Sequence, residues 1–265
     1  MNYAFMSFSA PGLTLSELCE VANRYGYTGI EPRMDAGHAH GVEAALTAVD
    51  RGRYRDMAAR HGVALACLAT SLKFADATPP HQRIEETHTR IDLAGDLGIP
   101  ALRVFGGVLP PGVSREQAVE NATEALTLVA DHAAEREVTL CVETHDDWCN
   151  PSDVASVLRR VDHPAIAANW DIMHPVRMGF ATMAEAFHTL KPWIRHVHIH
   201  DGDMVDGQLT LMPIGTGTID HRTAITLLRD IGYQGFISGE WINWEAWETH
   251  LPRELQTLKQ YEQTY

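Results

Sequence analysis

Three histidines stand at alternate positions in the stretch HVHIHDGD, residues 196–203. Side chains alternate faces along a strand, so His196, His198 and His200 point one way while Val197 and Ile199 point the other. Other apolar runs of the chain end in carboxylates: Glu143 in VETH, Asp171 in NWDIMHP and Glu240 in SGEW. If His198 and these three acids converge, they repel one another strongly unless a cation joins them, and a divalent ion removes that cost. An oxygen-rich set with one imidazole and no thiolate favours Mn²⁺ or Mg²⁺, with Co²⁺ or Zn²⁺ as further options. A cation held in such a set would stabilise an oxyanion that develops beside it.

Those residues need a scaffold that returns distant stretches of chain to one place. Short β-rich runs recur at 3–8, 29–33, 63–71, 101–107, 138–145, 165–171, 194–201 and 235–241. Amphipathic stretches separate them. A capping box, TLSE (14–17), opens a helix with Leu15, Leu18, Val21, Ala22 and Tyr25 on one face, and SREQ (114–117) opens another carrying Val119, Ala122, Leu126 and Val129. Further helices are expected near 52–61, 81–97 (Ile84, His88, Ile91 and Ala94 inward), 181–190, 220–231 and 244–262, and one begins at NPSD (150–153). Eight βα units point to a single-domain (β/α)₈ TIM barrel over residues 1–265. A doubly wound sheet is the alternative, but no G-x-G-x-x-G follows an early strand. In a barrel the strand C-termini face the catalytic mouth. Glu143, Asp171, His198 and Glu240 then sit at the ends of strands five to eight, spaced 28, 27 and 42 residues apart, the last interval lengthened by a loop at 201–218.

Composition narrows the partners. The chain has 265 residues, 45% of them hydrophobic and 21% charged, with no apolar run that could span a membrane. A net charge of −14 argues against nucleic acid, whose recognition rests on clustered Lys and Arg. No basic region precedes the apolar start, so the cytoplasm is the expected location. Cys19, Cys67, Cys141 and Cys149 form no C-x-x-C pair and read as reduced packing residues. A small-molecule substrate remains.

VETH, WDIMHP, HVHIHD and the late GEW, with PIGTGTID (213–220) before the last, resemble the xylose isomerase-like TIM barrel superfamily of sugar isomerases and epimerases. The resemblance covers nearly the whole chain. It implies metal ligation by Glu143, Asp171, His198 and Glu240, Mn²⁺ first among the candidates, with Glu143 and Glu240 as the acid/base pair that removes and returns a proton beside the carbonyl. His174, three residues after Asp171, is implied to contact a substrate oxygen. A carbohydrate substrate and a homo-oligomer are implied as well. The chain departs from some ketose epimerases at two positions. Cys149 stands where they carry a second glutamate, and Met204 where they carry an arginine.

Other polar residues have plainer readings. His196, deeper in its strand, is expected to be a hydrogen-bonded core histidine, whereas His200 lies nearer the rim. Arg103, inside a strand, needs a buried partner. Glu31 and Arg33 stand close enough to a strand end to reach substrate hydroxyls, and Arg177 is a candidate for an anionic substrate group. Asp201 and Asp203 read as loop solvation, and Trp241 as helix packing or a sugar-stacking ring. Three competing functions follow: a lyase sharing the first proton abstraction, a DNA-repair endonuclease of the same superfamily, and a metal-free binding barrel. The endonuclease would need histidines at strands three and four, where Thr70, Ser71, Phe105 and Gly106 stand instead.

Overall fold

The computed structural model describes residues 1–75 and 80–263. Its strands are β1 (Asn2–Met6), β2 (Gly29–Glu31), β3 (Ala64–Leu65), β4 (Leu68–Lys73), β5 (Ala101–Phe105), β6 (Thr139–Glu143), β7 (Ile166–Asp171), β8 (Ile194–Ile199), β9 (Asp201–Val205), β10 (Gln208–Met212) and β11 (Phe236–Gly239). One parallel sheet runs β3-β2-β1-β11-β8-β7-β6-β5-β4. β3 and β4 are two halves of one barrel strand, interrupted at Ala66 and Cys67. The ring closes because the chain beyond β2 bonds to β4: Ala69 N donates to Pro32 O at 3.0 Å and Met34 N to Ala69 O at 3.0 Å. The expected (β/α)₈ barrel is therefore present. No helix among the described residues is long and apolar enough to cross a membrane.

The helices are α1 (Leu15–Tyr25), α2 (Ala48–His61), α3 (Pro80–Leu97), α4 (Arg115–Glu135), α5 (Pro151–Val161), α6 (Met173–Arg177), α7 (Met183–Leu190), α8 (His221–Asp230) and α9 (Trp247–Gln263). Thr14 and Glu17 complete the capping box of α1, and its buried face carries Leu15, Leu18, Cys19, Val21 and Ala22. The box at α4 is half formed: Ser114 accepts from Gln117 N, but the Gln117 amide donates to Asn121 Oδ1 at 3.1 Å. In α3 the inward stripe starts one residue earlier than the apolar pattern suggests. Arg83 and Thr87 are buried while Ile84 and His88 are half-buried, and the Thr87 hydroxyl donates to Arg83 O at 2.6 Å.

Two elements stand where loop was expected. The segment after β8 folds into the antiparallel hairpin β9–β10, and α6 adds a short turn after β7. The hairpin turns at Asp206 and Gly207, both with positive φ, the conformation that favours Asp-Gly between paired strands.

Inside the barrel, Cys67, Ala101, Cys141 and Ala167 form a small buried cluster. Alternation places Arg103, Glu143 and Asn169 one step nearer the mouth on the same inner faces, and Asp171 a step beyond Asn169. All four cysteines are free and buried, as their spacing suggested.

Candidate functional site

Glu143 ends β6, Asp171 ends β7, His198 lies in β8 and Glu240 follows β11. One ligand atom from each lies within 4.8 Å of all the others, and all four residues are buried. His198 Nδ1 is 2.6 Å from Glu143 Oε1 and 3.4 Å from Glu240 Oε2. Asp171 is fixed by the start of α6, its Oδ1 accepting from Met173 N at 2.8 Å and His174 N at 3.1 Å.

Across the barrel, Glu31 at the end of β2 reaches both deeper imidazoles, 2.8 Å from His196 Nε2 and 3.0 Å from His198 Nε2. A carboxylate that accepts a hydrogen bond from Nε2–H of His198 orients the ring and leaves Nδ1 facing the other acids. Burial opposes the His198 charge, but Glu31, Glu143 and Glu240 outweigh it and hold its pKa well above the ordinary value. Burial likewise works against ionisation of Glu31, which His198 and His196 hold well below the usual carboxylate range.

Whether the residues fit a divalent ion can be judged from their oxygens. Oε2 of Glu143 and Oε2 of Glu240 are buried without a hydrogen-bond partner. The nearest approach of a cationic side chain to Glu143 Oε2 is Arg103 Nε at 3.4 Å. Unpartnered buried carboxylate oxygens beside one imidazole nitrogen are hard-cation donors, so the set fits.

Above these residues lies a cavity of about 240 Å³ lined by His145, His174, His200, Leu209, Leu211, Glu240 and Ile242. His174 Nδ1 is 3.2 Å from the Arg177 guanidinium. Arginine can only donate, so Nδ1 accepts and Nε2 carries the proton, 3.7 Å from Asp171 Oδ2. Burial pushes the His174 pKa down to about 4, leaving a neutral imidazole with one N–H to offer. His200 Nε2 is held by Asp171 Oδ2 at 2.9 Å. His145 Nδ1 lies 2.8 Å from Asp146 Oδ1, and its ring meets His174 edge-on at 4.6 Å. Burial works against the His145 charge, yet Asp146, Glu143 and Glu240 raise its pKa to about 9.

The expected set of Glu143, Asp171, His198 and Glu240 is thus brought together, with His174 and His200 in the cavity wall. His196 is a hydrogen-bonded core residue. Three other expectations shift, and the one for Arg103 holds. Glu31 is fully buried beneath His198 and does not reach the cavity. Asp201 is no solvated loop residue: it is buried, and its carboxylate accepts from Gly202, Gly215 and Gly217 N at 2.9, 2.8 and 3.0 Å. Trp241 is 1% exposed and packs on His250, while Ile242 takes the cavity position. Arg103 has its buried acid in Glu143, and also donates to Thr70 O at 2.7 Å. His145 was missed, although it follows Glu143 by two residues, the same alternate spacing that singled out His200.

A closed (β/α)₈ barrel with an acid-and-imidazole centre at the C-terminal ends of its strands defines the class. The chain belongs to the xylose isomerase-like TIM barrel family, which it matches over residues 19–261. A Xenopus laevis protein named "Putative hydroxypyruvate isomerase" is 25% identical over 167 residues, covering 57% of this chain and 57% of that protein. The chain thus matches little more than half the length of this curated relative. Among solved structures, the probable 3-DHS dehydratase from Bacillus anthracis superposes with a TM-score of 0.81 at 20% identity, covering 98% of this chain and 99% of that one. The 3-keto-D-glucoside 4-epimerase from E. coli gives 0.79 at 16% identity, covering 98% and 99%. The D-allulose 3-epimerase from Methylomonas sp. gives 0.77 at 19%, covering 98% and 97%. At these identities the likeness concerns the fold.

Proposed function

We propose that this protein is a divalent-metal-dependent isomerase or epimerase of a small sugar or related hydroxy-carbonyl compound. The observation that supports this most is the meeting of Glu143, Asp171, His198 and Glu240 from adjacent strand ends within 4.8 Å, with buried unpartnered oxygens on two of them. These four residues would hold the ion, Mn²⁺ by preference. Once bound, it would polarise a carbonyl and steady the charge that develops on its oxygen. The family's relatives include named isomerases and epimerases, in keeping with this reading.

The chain's own residues then divide the work. Glu143 and Glu240 approach from β6 and β11, with β7 and β8 between them, so the two carboxylates reach a substrate from separated strands. One accepts a proton from the carbon beside the carbonyl; the other returns one. His174, neutral and protonated at Nε2, donates a hydrogen bond to the carbonyl oxygen. The apolar Leu209, Leu211 and Ile242 line the same cavity and give its wall an apolar side. A cavity of about 240 Å³ suits a substrate of a few carbons. The site belongs to a single-domain, cytoplasmic homo-oligomer that binds neither nucleic acid nor membrane.

A lyase is the second reading, and His145 favours it. Its ring stands in the cavity wall beside His174 as a further proton donor, placed to protonate a hydroxyl leaving from the carbon next to the deprotonated one. Deuterium exchange from solvent into a panel of ketoses with Mn²⁺ supplied tests the shared first step, and product analysis separates epimer from elimination product. Glu143→Gln and Glu240→Gln are each expected to lower exchange by about 10²-fold or more. Exchange that survives both substitutions refutes the two-carboxylate mechanism.

A further inference from the structure

The side of the mouth formed by the chain after β2 and by β4 carries two basic side chains, Arg33 and Lys73. Arg33 follows Glu31 by two residues in extended chain, where it bridges to Ala69, so its side chain lies on the inner face one step above the Glu31 carboxylate. Its guanidinium donates to Ser71 Oγ at 2.6 Å, to Ala69 O at 3.3 Å and to Met34 O, and stands 6.0 Å from the Phe8 ring. No carboxylate lies within ion-pair distance of it among the described residues: Asp35 pairs with Arg90, and Glu43 accepts from Asp35 N.

Lys73 follows Ser71 by two residues on the same strand, β4. The pairing of β4 with β5 slips between Ala69 and Lys73, and such an irregularity at a barrel rim re-aims the side chains it contains. Ser71 and Lys73 emerge exposed. Lys73 is opposite Phe105, whose ring lies 5.0 Å from His145 in the cavity wall, and its alkyl chain crosses Gly107, where a Cβ would meet it at 3.1 Å. Among the described residues its ammonium has no acid within ion-pair distance; Asp146, whose charge it feels, is bonded to His145. Arg177, the sequence's candidate for an anionic group, is turned to His174 and Met204 instead.

Two cations with no ion-pair partner among the described residues, at one rim of a chain with net charge −14, suit an anion. We propose that Arg33, Ser71 and Lys73 form an anion-binding subsite, and that the substrate carries a carboxylate or phosphate at the end remote from its hydroxy-carbonyl group. The planar guanidinium supplies paired donors to two oxygens of such a group, and the ammonium supplies a point charge. The hydroxy-carbonyl half of this statement rests on the function proposed above; the anion half rests on β2 and β4 alone.

Calorimetric binding of three probes to the full chain with Mn²⁺ supplied tests it: hydroxypyruvate, dihydroxyacetone phosphate and uncharged dihydroxyacetone. At least one anionic probe is expected to bind roughly tenfold or more tightly than dihydroxyacetone, with an advantage that shrinks as salt rises. The preferred probe identifies carboxylate or phosphate. Arg33→Gln and Lys73→Gln are each expected to remove most of that advantage without changing dihydroxyacetone binding, and Arg33→Lys to restore part of it. Lys73 is exposed, so Lys73→Gln keeps the test meaningful should Arg33→Gln melt early. Equal binding of charged and uncharged probes, no binding of either anion at millimolar concentration, or parallel weakening of all three by Lys73→Gln overturns the subsite. Deuterium exchange into the bound probes reports separately on Glu143 and Glu240. Anion preference without exchange sinks the proton-abstraction reading and leaves the subsite standing; exchange without anion preference does the reverse.

Discussion

Replacing Asp201 tests whether the rim of the site is held by one buried carboxylate. Oδ2 accepts from Gly215 N at 2.8 Å and Gly217 N at 3.0 Å, and Oδ1 from Gly202 N at 2.9 Å. In Asp201→Ala the buried Gly202 N loses its acceptor at about 1–3 kcal/mol, and the more accessible Gly215 N and Gly217 N at less, because water can reach them. The expected loss is roughly 2–4 kcal/mol, a large part of the about 5–15 kcal/mol that holds a domain together. At about 2–4 °C per kcal/mol, the melting temperature should fall by on the order of 10 °C. Asp201→Asn keeps the shape and one acceptor oxygen but turns an amide NH₂ toward a backbone donor, so it should cost about half as much. The damage should extend to catalysis. His221 Nε2 donates to the carbonyl of His200 at 3.0 Å and its Nδ1 lies 3.8 Å from Asp201, so loosening this loop frees the end of β8. Calorimetric melting of the two variants beside wild type is the assay. A fall of less than about 2 °C in Asp201→Ala would show that the carboxylate is not what fastens the loop.

Three further outcomes are expected. Gly239→Ala places a Cβ 2.0 Å from the buried Trp241 ring, which should cost on the order of 3 kcal/mol and displace Glu240; a melting temperature matching wild type would contradict the packing described. His40 accepts from Val42 N at Nδ1, and burial, with His38 adding to it, pushes its pKa down to about 4. Its pKa is thus lower folded than unfolded, so the unfolded chain takes up the proton first as pH falls. The His40 contribution should be constant above about pH 6.5 and cost about 3 kcal/mol of stability towards pH 4, the difference between the wild-type and His40→Gln stability–pH curves measured by urea unfolding. Glu31→Leu, which strips the acceptor from His198 Nε2, should weaken Mn²⁺ binding in calorimetry by roughly 10–100-fold, and Glu31→Gln, which keeps an acceptor, by less; unchanged affinity in both would remove Glu31 from the account.

Much of this was legible in the sequence because the barrel repeats one unit. Each βα turn returns an inner-face residue to the same rim, so Glu143 and Asp171 at the ends of runs 138–145 and 165–171 declare their neighbourhood by position alone. The capping box at Thr14 and the stripe of α4 were readable for the same local reason. What sequence reasoning missed is mostly non-local. Glu31 and His198 stand 167 residues apart, and nothing in either stretch announces that one orients the other. The burial of Asp201 depends on glycines more than ten residues downstream, which bring their amides within reach only because they lack side chains. The phase of α3 differs from the apolar pattern because Thr87, whose hydroxyl bonds the Arg83 carbonyl of its own helix, can occupy with Arg83 a buried stripe that hydropathy alone assigns to Ile84 and His88. Two signals were present and unused: Asp206-Gly207, a hairpin turn between alternating apolar residues, and His145, two places after Glu143.

The Glu31 carboxylate joins the second strand of the ring to the imidazole on β8, near the other end of the chain. A fragment comprising the first half of the ring would own that acid and none of the four proposed ligands; the remaining half would own the ligands and lack the group that sets the tautomer of one of them. Cation affinity thus becomes a gauge of circularisation. In a denaturant series it should weaken together with the backbone pairing between the chain beyond β2 and β4, ahead of any loss of helix.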